Sequence, residues 1–228
     1  MNLSASSKLP KAVHRWLAFQ AHCNRSDVFS ESYMTQPVAE FVLANHSGRF
    51  ESEHTHPSFV TRSKGRPKQV DFALVTKNTG AIEAVIECKW AGVRNLSKQA
   101  IVDDLLRLEC YRDPDRQVSR YFLVAGKKDN FISNFRELRY RDGGNHAFTK
   151  RLLSFSTRRP EIVLGVFSFT GSIRKYFRSF YDEYKSEPPK TLRTTLVSAS
   201  YGDEIYVFMW RVSSSKNRKT YKAALPDW

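Results

Sequence analysis

Two carboxylates and an ammonium stand inside a stretch of chain that is otherwise apolar. Asp71 lies at the start of the run 70–75, and Glu87-Cys88-Lys89 closes the run 81–90. Lys77-Asn78-Thr79-Gly80 separates the two runs, and its Asn and Gly can take the positive φ of a tight reversal. Both runs are rich in β-branched and aromatic residues, so they are expected to pair as a β-hairpin. Alternation along the second strand sets Val85, Glu87 and Lys89 on one face and Ala84, Ile86, Cys88 and Trp90 on the other. Glu87 and Lys89 are then neighbours, with Asp71 across the pairing. Carboxylate oxygens are hard ligands suited to Mg2+, which binds through one or two of them together with phosphate oxygens. An ammonium beside them orients an attacking water and offsets charge that builds up at phosphorus. The same three residues would also serve as a salt bridge that ties the hairpin together.

The elements around the hairpin must position these groups. A helix is expected over 11–23, with Val13, Trp16 and Leu17 on its apolar stripe. A second is expected within 30–45, where Met34, Val38, Phe41 and Val42 share a face. Pro37 complicates its start, because a proline favours the first turn. Residues 49–68 are polar, with room for a short edge strand near 59–61. Two histidines there, His54-x-His56, make a weak metal pair without a third ligand. The basic loop Lys64-Gly65-Arg66-Pro67-Lys68 is placed to meet a phosphate backbone. After the hairpin, 95–111 reads as a helix capped by Asn95 or Ser97, with Ile101, Leu105 and Leu108 at i, i+4 and i+7. A buried strand follows over 121–125, and Asp129 then caps a helix carrying Phe131, Phe135 and Leu138.

The rest of the chain is less diagnostic. Gly143-Gly144 marks a loop, 162–169 reads as a strand and 172–185 as an amphipathic helix. Its Phe177, Phe180 and Tyr184 are expected in the core, with base stacking by the aromatics as the rarer use. Residues 191–200 and 204–212 form a closing hairpin, and a Ser-, Lys- and Arg-rich tail follows from 213.

The hairpin and its surroundings resemble the PD-(D/E)XK nucleases, whose mark is an Asp at the start of one strand, a hairpin, and Glu-x-Lys on the next. Asp71, Glu87 and Lys89 fill these places over a stretch of roughly 30–126. Val70 stands where the family often has Pro. The resemblance implies an α/β chain with a restriction-endonuclease-like three-layer αβα core, a central mixed β-sheet flanked by helices. One nuclease domain would span 1–228: a helical extension over 1–29, the core over 30–140, a strand–helix–hairpin segment over 141–212 completing the sheet, and a basic tail over 213–228. It also implies Mg2+, with Mn2+ able to substitute, held by Asp71, Glu87 and the carbonyl of Cys88. The family usually adds a Glu from the helix before the hairpin, and both Glu31 and Glu40 are candidates. The helix after the hairpin often lends a polar residue, and Asp104-Leu105-Leu106-Arg107-Leu108 loosely follows the family pattern. Asp104 and Arg107 would otherwise be an i, i+3 surface pair.

The charge agrees with a polyanionic partner. Lys and Arg number 37 against 23 Asp and Glu, a net charge of +14, and each phosphate that a basic side chain neutralises releases counterions. Lys64, Arg66, Lys68, Lys98 and Arg107 are the candidate nucleic-acid contacts. Three cysteines without paired or ligand spacing suit a reducing interior. The first residues lack the apolar core of a signal peptide and no segment approaches a membrane span, so a soluble cytoplasmic protein is expected. The expected activity is hydrolysis of DNA phosphodiesters, as an endonuclease in defence, restriction or mobile-element processing, with RNA kept open as a substrate. The competing expectation is a module that binds nucleic acid without cutting it, or an interaction subunit of a larger nuclease or recombination complex. A homodimer or a partner subunit would let such an enzyme cut both strands.

Overall fold

The computed structural model describes residues 3–59, 68–92, 96–112, 117–136, 139–141, 149–165, 172–184, 186–189 and 191–213. Two helices lead: α1 (Leu3–His22) and α2 (Glu31–Asn45). Strands β1 (Arg49–Thr55), β2 (Gln69–Val75) and β3 (Ile82–Ala91) follow, then α3 (Lys98–Cys110) and β4 (Ser119–Lys127). A single turn α4 (Lys128–Asn130) runs into a π-helical turn over Phe131–Arg136. The chain continues through β5 (Arg139–Arg141), β6 (Thr149–Arg151), β7 (Glu161–Gly165), α5 (Ser172–Tyr184), β8 (Thr191–Tyr201) and β9 (Ile205–Ser213).

Seven strands form one mixed sheet in the order β1-β2-β3-β4-β9-β8-β7, while β5 and β6 pair separately. The pairs β1–β2, β2–β3, β4–β9, β7–β8 and β8–β9 are antiparallel, and β3 lies parallel to β4. A parallel pair needs a crossover, and α3 supplies it. Helices cover both faces. On one side Leu9, Val13 and Leu17 of α1 and Met34, Val38 and Val42 of α2 pack with Phe72, Leu74, Ala84, Ile86 and Cys88. On the other, Ile101, Leu105 and Leu108 of α3 and Phe177 and Phe180 of α5 pack with Ala73, Val85, Phe122 and Trp210. The expected alternation of β3 is therefore present: Val85 and Ala84 belong to opposite layers. The architecture is α/β, a seven-stranded mixed sheet between helical layers.

Several elements differ from the sequence reading. Helix α1 starts at Leu3, not near 11, and passes through Pro10; it covers the sheet, with Leu9 and Val13 fully buried. Packing of an apolar face outweighs a local breaker. Pro37 likewise lies inside α2, whose start is capped by Ser30 accepting from the Tyr33 N–H at 3.2 Å. Of the span expected near 59–61, only Phe59 lies within the described residues; the described edge strand on this side is Arg49–Thr55. Its sequence RFESEHT is polar because an edge strand shows much of itself to water, and only Phe50 anchors it, stacked on Phe72 with centroids 4.9 Å apart. Phe59 is a buried loop ring stacked on His56 at 4.1 Å. In the β2–β3 turn only Gly80 takes a positive φ, 68°. Where a helix was expected after Asp129 there is one short turn and the π-helical segment. Lys64, Arg66, Leu138, Gly143-Gly144, the outer part of the strand expected over 162–169 and the basic tail beyond 213 lie outside the described residues. No helix of the described residues is long and apolar enough to cross a membrane.

Candidate active site

The register of the hairpin explains how Asp71 reaches Glu87 and Lys89. The β2–β3 ladder runs from the Val75–Ile82 pair to Phe72–Ile86. One step further, the Cys88 N–H donates to Oδ2 of Asp71 at 2.6 Å. The side chain of Asp71 thus stands in for a backbone acceptor and is pinned to the β3 segment that carries Glu87 and Lys89. Cys88 itself points the other way, fully buried in the α1/α2 layer, and burial pushes its thiol well above its ordinary value.

Glu87 is 3% exposed. Its Oε1 accepts from the Arg107 guanidinium at 2.6 Å, whereas Oε2 is buried with no hydrogen-bond partner. Burial, and next the nearby Asp104, drive its pKa well above the usual carboxylate range, against the pull of Arg107. Lys89 Nζ sits 3.2 Å from Oε1 of Glu31 and 3.4 Å from Oδ2 of Asp104. Burial opposes its charge, but Asp104, Glu31, Glu87 and Asp71 together outweigh it, so the ammonium holds its proton more tightly than an ordinary lysine. Arg107 also contacts Asp104 directly. Asp71 titrates at about 6 instead of 3.8, chiefly because it is buried, with Glu31 and Asp104 adding repulsion and the Cys88 N–H and Lys89 opposing it. Four carboxylates (Glu31, Asp71, Glu87, Asp104) therefore surround two cations (Lys89, Arg107), an excess of two negative charges when all are ionised.

These six side chains come from α2, β2, β3 and α3. Glu31 is the residue that α2 brings to the cluster, from its first turn. Glu40 is exposed and takes a hydrogen bond from Gln36 of its own helix at 3.0 Å, so it stands apart. Asp104, expected either as the polar residue this helix lends to the site or as a surface pair with Arg107, is 5% exposed and inside the cluster. The signal was present: a charged residue at i+3 from Ile101, on the apolar stripe of α3. Arg107, a candidate phosphate contact, clamps Glu87 and Asp104. Lys68 pairs with Glu183 at 3.0 Å and lies 5.3 Å from the Tyr184 ring centre, which directs it to α5. Lys98 is half-buried at the first position of α3. The two histidines do not form a metal pair. His54 contacts Glu51 at 2.8 Å, while His56 donates from Nε2 to the Arg107 carbonyl at 2.9 Å and accepts the Ser58 N–H at Nδ1. Burial keeps His56 neutral, lowering its pKa to about 4, and its hydrogen bond to the Arg107 carbonyl ties the loop to α3.

Two clefts flank Glu31. One, about 740 Å3, is lined by Glu31, Asp71, Phe72 and Glu53. Glu53 falls opposite Asp71, between the β1–β2 pairs Ser52–Phe72 and His54–Val70, and takes a left-handed φ of 50°, a strained choice for a side chain with a Cβ. The other, about 590 Å3, is lined by Glu31, Trp90, Phe29 and Lys127. Among the described residues no group of three or more His, Cys, Asp or Glu is disposed to hold a metal ion as the side chains stand; Lys89 and Arg107 occupy the carboxylates instead. The donor set nonetheless suits a hard divalent cation: the candidate donor atoms are oxygens, and one of them (Glu87 Oε2) is buried without a partner. No family model, curated protein or solved structure matches this chain.

Proposed function

We propose that the chain is a divalent-metal-dependent nuclease of the PD-(D/E)XK type, with a restriction-endonuclease-like fold, hydrolysing DNA phosphodiesters with Mg2+ or Mn2+. The observation that carries this reading is the convergence of Asp71, Glu87 and Lys89 with Glu31 at one place, beside a cleft that Asp71 and Glu31 line. The order hairpin, crossover helix, parallel strand around them supports it. Asp71, Glu87 and Glu31 are the residues that would hold the ion, with the Cys88 carbonyl as a further oxygen. A bound divalent ion supplies polarisation of the phosphate and acidification of a water. Lys89 contributes a cation that its acidic neighbours keep protonated, available to a phosphate oxygen. Arg107 holds the carboxyl of Glu87 in one orientation, a positioning role. The net charge of +14 draws a polyanion to the protein and makes its binding fall steeply with salt.

A second reading has its own observation in favour. Lys89 and Arg107 already neutralise much of the cluster, as they would in a module that binds nucleic acid without cutting it. Purified protein incubated with supercoiled plasmid, linear duplex and single strands separates the two. The nuclease reading expects cleavage with Mg2+ or Mn2+ and none with EDTA. Salt-sensitive binding with intact substrate under every metal condition supports the binding module.

A further inference from the structure

The second cleft beside Glu31 carries chemistry that phosphodiester hydrolysis does not use. It is about 590 Å3, within the size range of small-ligand sites, and it joins the catalytic cluster through Glu31, whose carboxylate meets Lys89 at 3.2 Å. One wall is aromatic. Trp90 follows Lys89 on β3 and is half-buried, and it meets Phe29 edge-on, with centroids 5.6 Å apart and ring planes at 78°, so the two rings are not stacked on each other. Gly92 makes this arrangement fit: a Cβ there would fall 3.1 Å from Cδ1 of the indole. The polar lining includes Asp27, Glu31, Asn130 and Lys127.

The charge pattern decides what such a cleft takes. The described charged lining residues are Asp27, Glu31 and Lys127, and Glu31 is also paired to Lys89 at 3.2 Å, so the cleft offers no net positive charge to draw a phosphate. A neutral base is different: the N–H groups on its edge donate to carboxylates, as cytosine N4 does to Asp or Glu, and its face stacks on an aromatic ring. A base inside a duplex is covered above and below by its neighbours and cannot enter a concave cleft unless it is unpaired or swung out. We propose that this cleft holds one unpaired nucleobase of the substrate, stacked on Trp90 next to the phosphate at the Asp71–Glu87–Lys89 cluster. The substrate is accordingly a single strand, or a duplex with a frayed, looped or overhanging nucleotide. This assignment rests on the nuclease reading for what lies beside the base.

The test measures binding and cutting separately. Binding is read in EDTA by fluorescence anisotropy, using a labelled single-stranded DNA 12-mer and a blunt duplex of the same sequence. The wild type, Trp90→Ala and Trp90→Phe are compared. The wild type is expected to prefer the single strand, Trp90→Ala to lose about tenfold on it with duplex binding unchanged, and Trp90→Phe to stay within about threefold of wild type. The unchanged duplex affinity shows that Trp90→Ala is folded. Equal affinity of wild type and Trp90→Ala for the single strand overturns the proposal, as does an equal loss on both probes. Cutting is then read with Mg2+ on a duplex carrying a single-stranded overhang. If the wild type cuts but Trp90 has no effect on single-strand binding, the base site is wrong and the nuclease reading stands. If Trp90 governs single-strand binding but nothing is cut, the base site stands and the nuclease reading falls.

Discussion

Asp71→Asn is predicted to make the metal-free protein more stable, not less. Asp71 is mostly buried and titrates at about 6 in the folded chain against 3.8 ordinarily. Between these values the folded state keeps a proton that the unfolded state gives up. Stability therefore falls as pH rises through the window: the contribution of Asp71 is fully present below about 3.8 and lost above about 6. A shift of about two units corresponds to roughly 3 kcal/mol at most at pH 8. Asparagine removes the charge but keeps an oxygen for the Cys88 N–H, which the carboxylate now accepts at 2.6 Å. It also relieves Glu87, whose raised pKa owes part to the Asp71 charge. The variant should gain about 2–3 kcal/mol at pH 8, an increase of roughly 4–10 °C in Tm for a chain of this length. Circular-dichroism melts in EDTA at pH 8 and pH 4 measure it, and the gain should all but vanish at pH 4. Added Mg2+ should then raise the Tm of the wild type but not of the variant, since an ion that binds only the folded state stabilises it by mass action. An Asp71→Asn protein no more stable than wild type at pH 8 would refute the reasoning, because the carboxylate would then be at ease where it lies.

Arg107→Met should cost about 3–5 kcal/mol in urea unfolding at pH 8, because Glu87 and Asp104 lose the guanidinium between them. That loss should shrink as the pH is lowered and the stranded carboxylates take up protons. Gly126→Ala should destabilise by about 1–3 kcal/mol: Gly126 pairs with Ala91 across β3 and β4, and its Cβ would fall 2.6 Å from the Ala91 carbonyl oxygen. Glu31→Ala should reduce Mg2+-dependent cleavage by an order of magnitude or more, while Glu40→Ala, at an exposed position bonded to Gln36, should cut at the wild-type rate. Equal rates for the two variants would remove Glu31 from the site.

What the sequence disclosed follows from where its physics is local. The hairpin could be read because β3 is buried on both faces yet carries Glu87 and Lys89 at alternate positions, and few strands place charges there without a use. Helix α3 could be read because Ile101, Leu105 and Leu108 keep strict spacing and Ser97 caps it, accepting from the Ala100 N–H at 3.4 Å. The choice between Glu31 and Glu40 stayed open because Pro37 blurred the start of α2; the Ser30 cap and the packing of Met34 and Val38 set the helix so that Glu31, not Glu40, reaches the cluster. Strand β1 was hidden because an edge strand needs little apolar character, and its single anchor, Phe50, looks isolated in RFESEHT. The Glu183 partner of Lys68 and the Glu87 partner of Arg107 were out of reach for another reason. Lys68 meets Glu183 and Arg107 meets Glu87 across long stretches of chain, and no local period encodes such pairings. Read by charge alone, both looked like phosphate contacts.

Cleavage of phosphodiester bonds by this carboxylate–lysine cluster with a divalent ion can be checked by one rate comparison. Wild type and Glu87→Gln, purified side by side, are assayed for nicking of supercoiled plasmid in Mg2+. The exchange keeps the shape of a buried side chain that is 3% exposed and removes one anionic oxygen donor. Nicking by the wild type and a loss of at least a hundredfold in Glu87→Gln are expected, with both proteins folded. Equal nicking by the two would trace the activity to something other than this cluster, and no nicking by either would leave the cluster a structural ion-pair network.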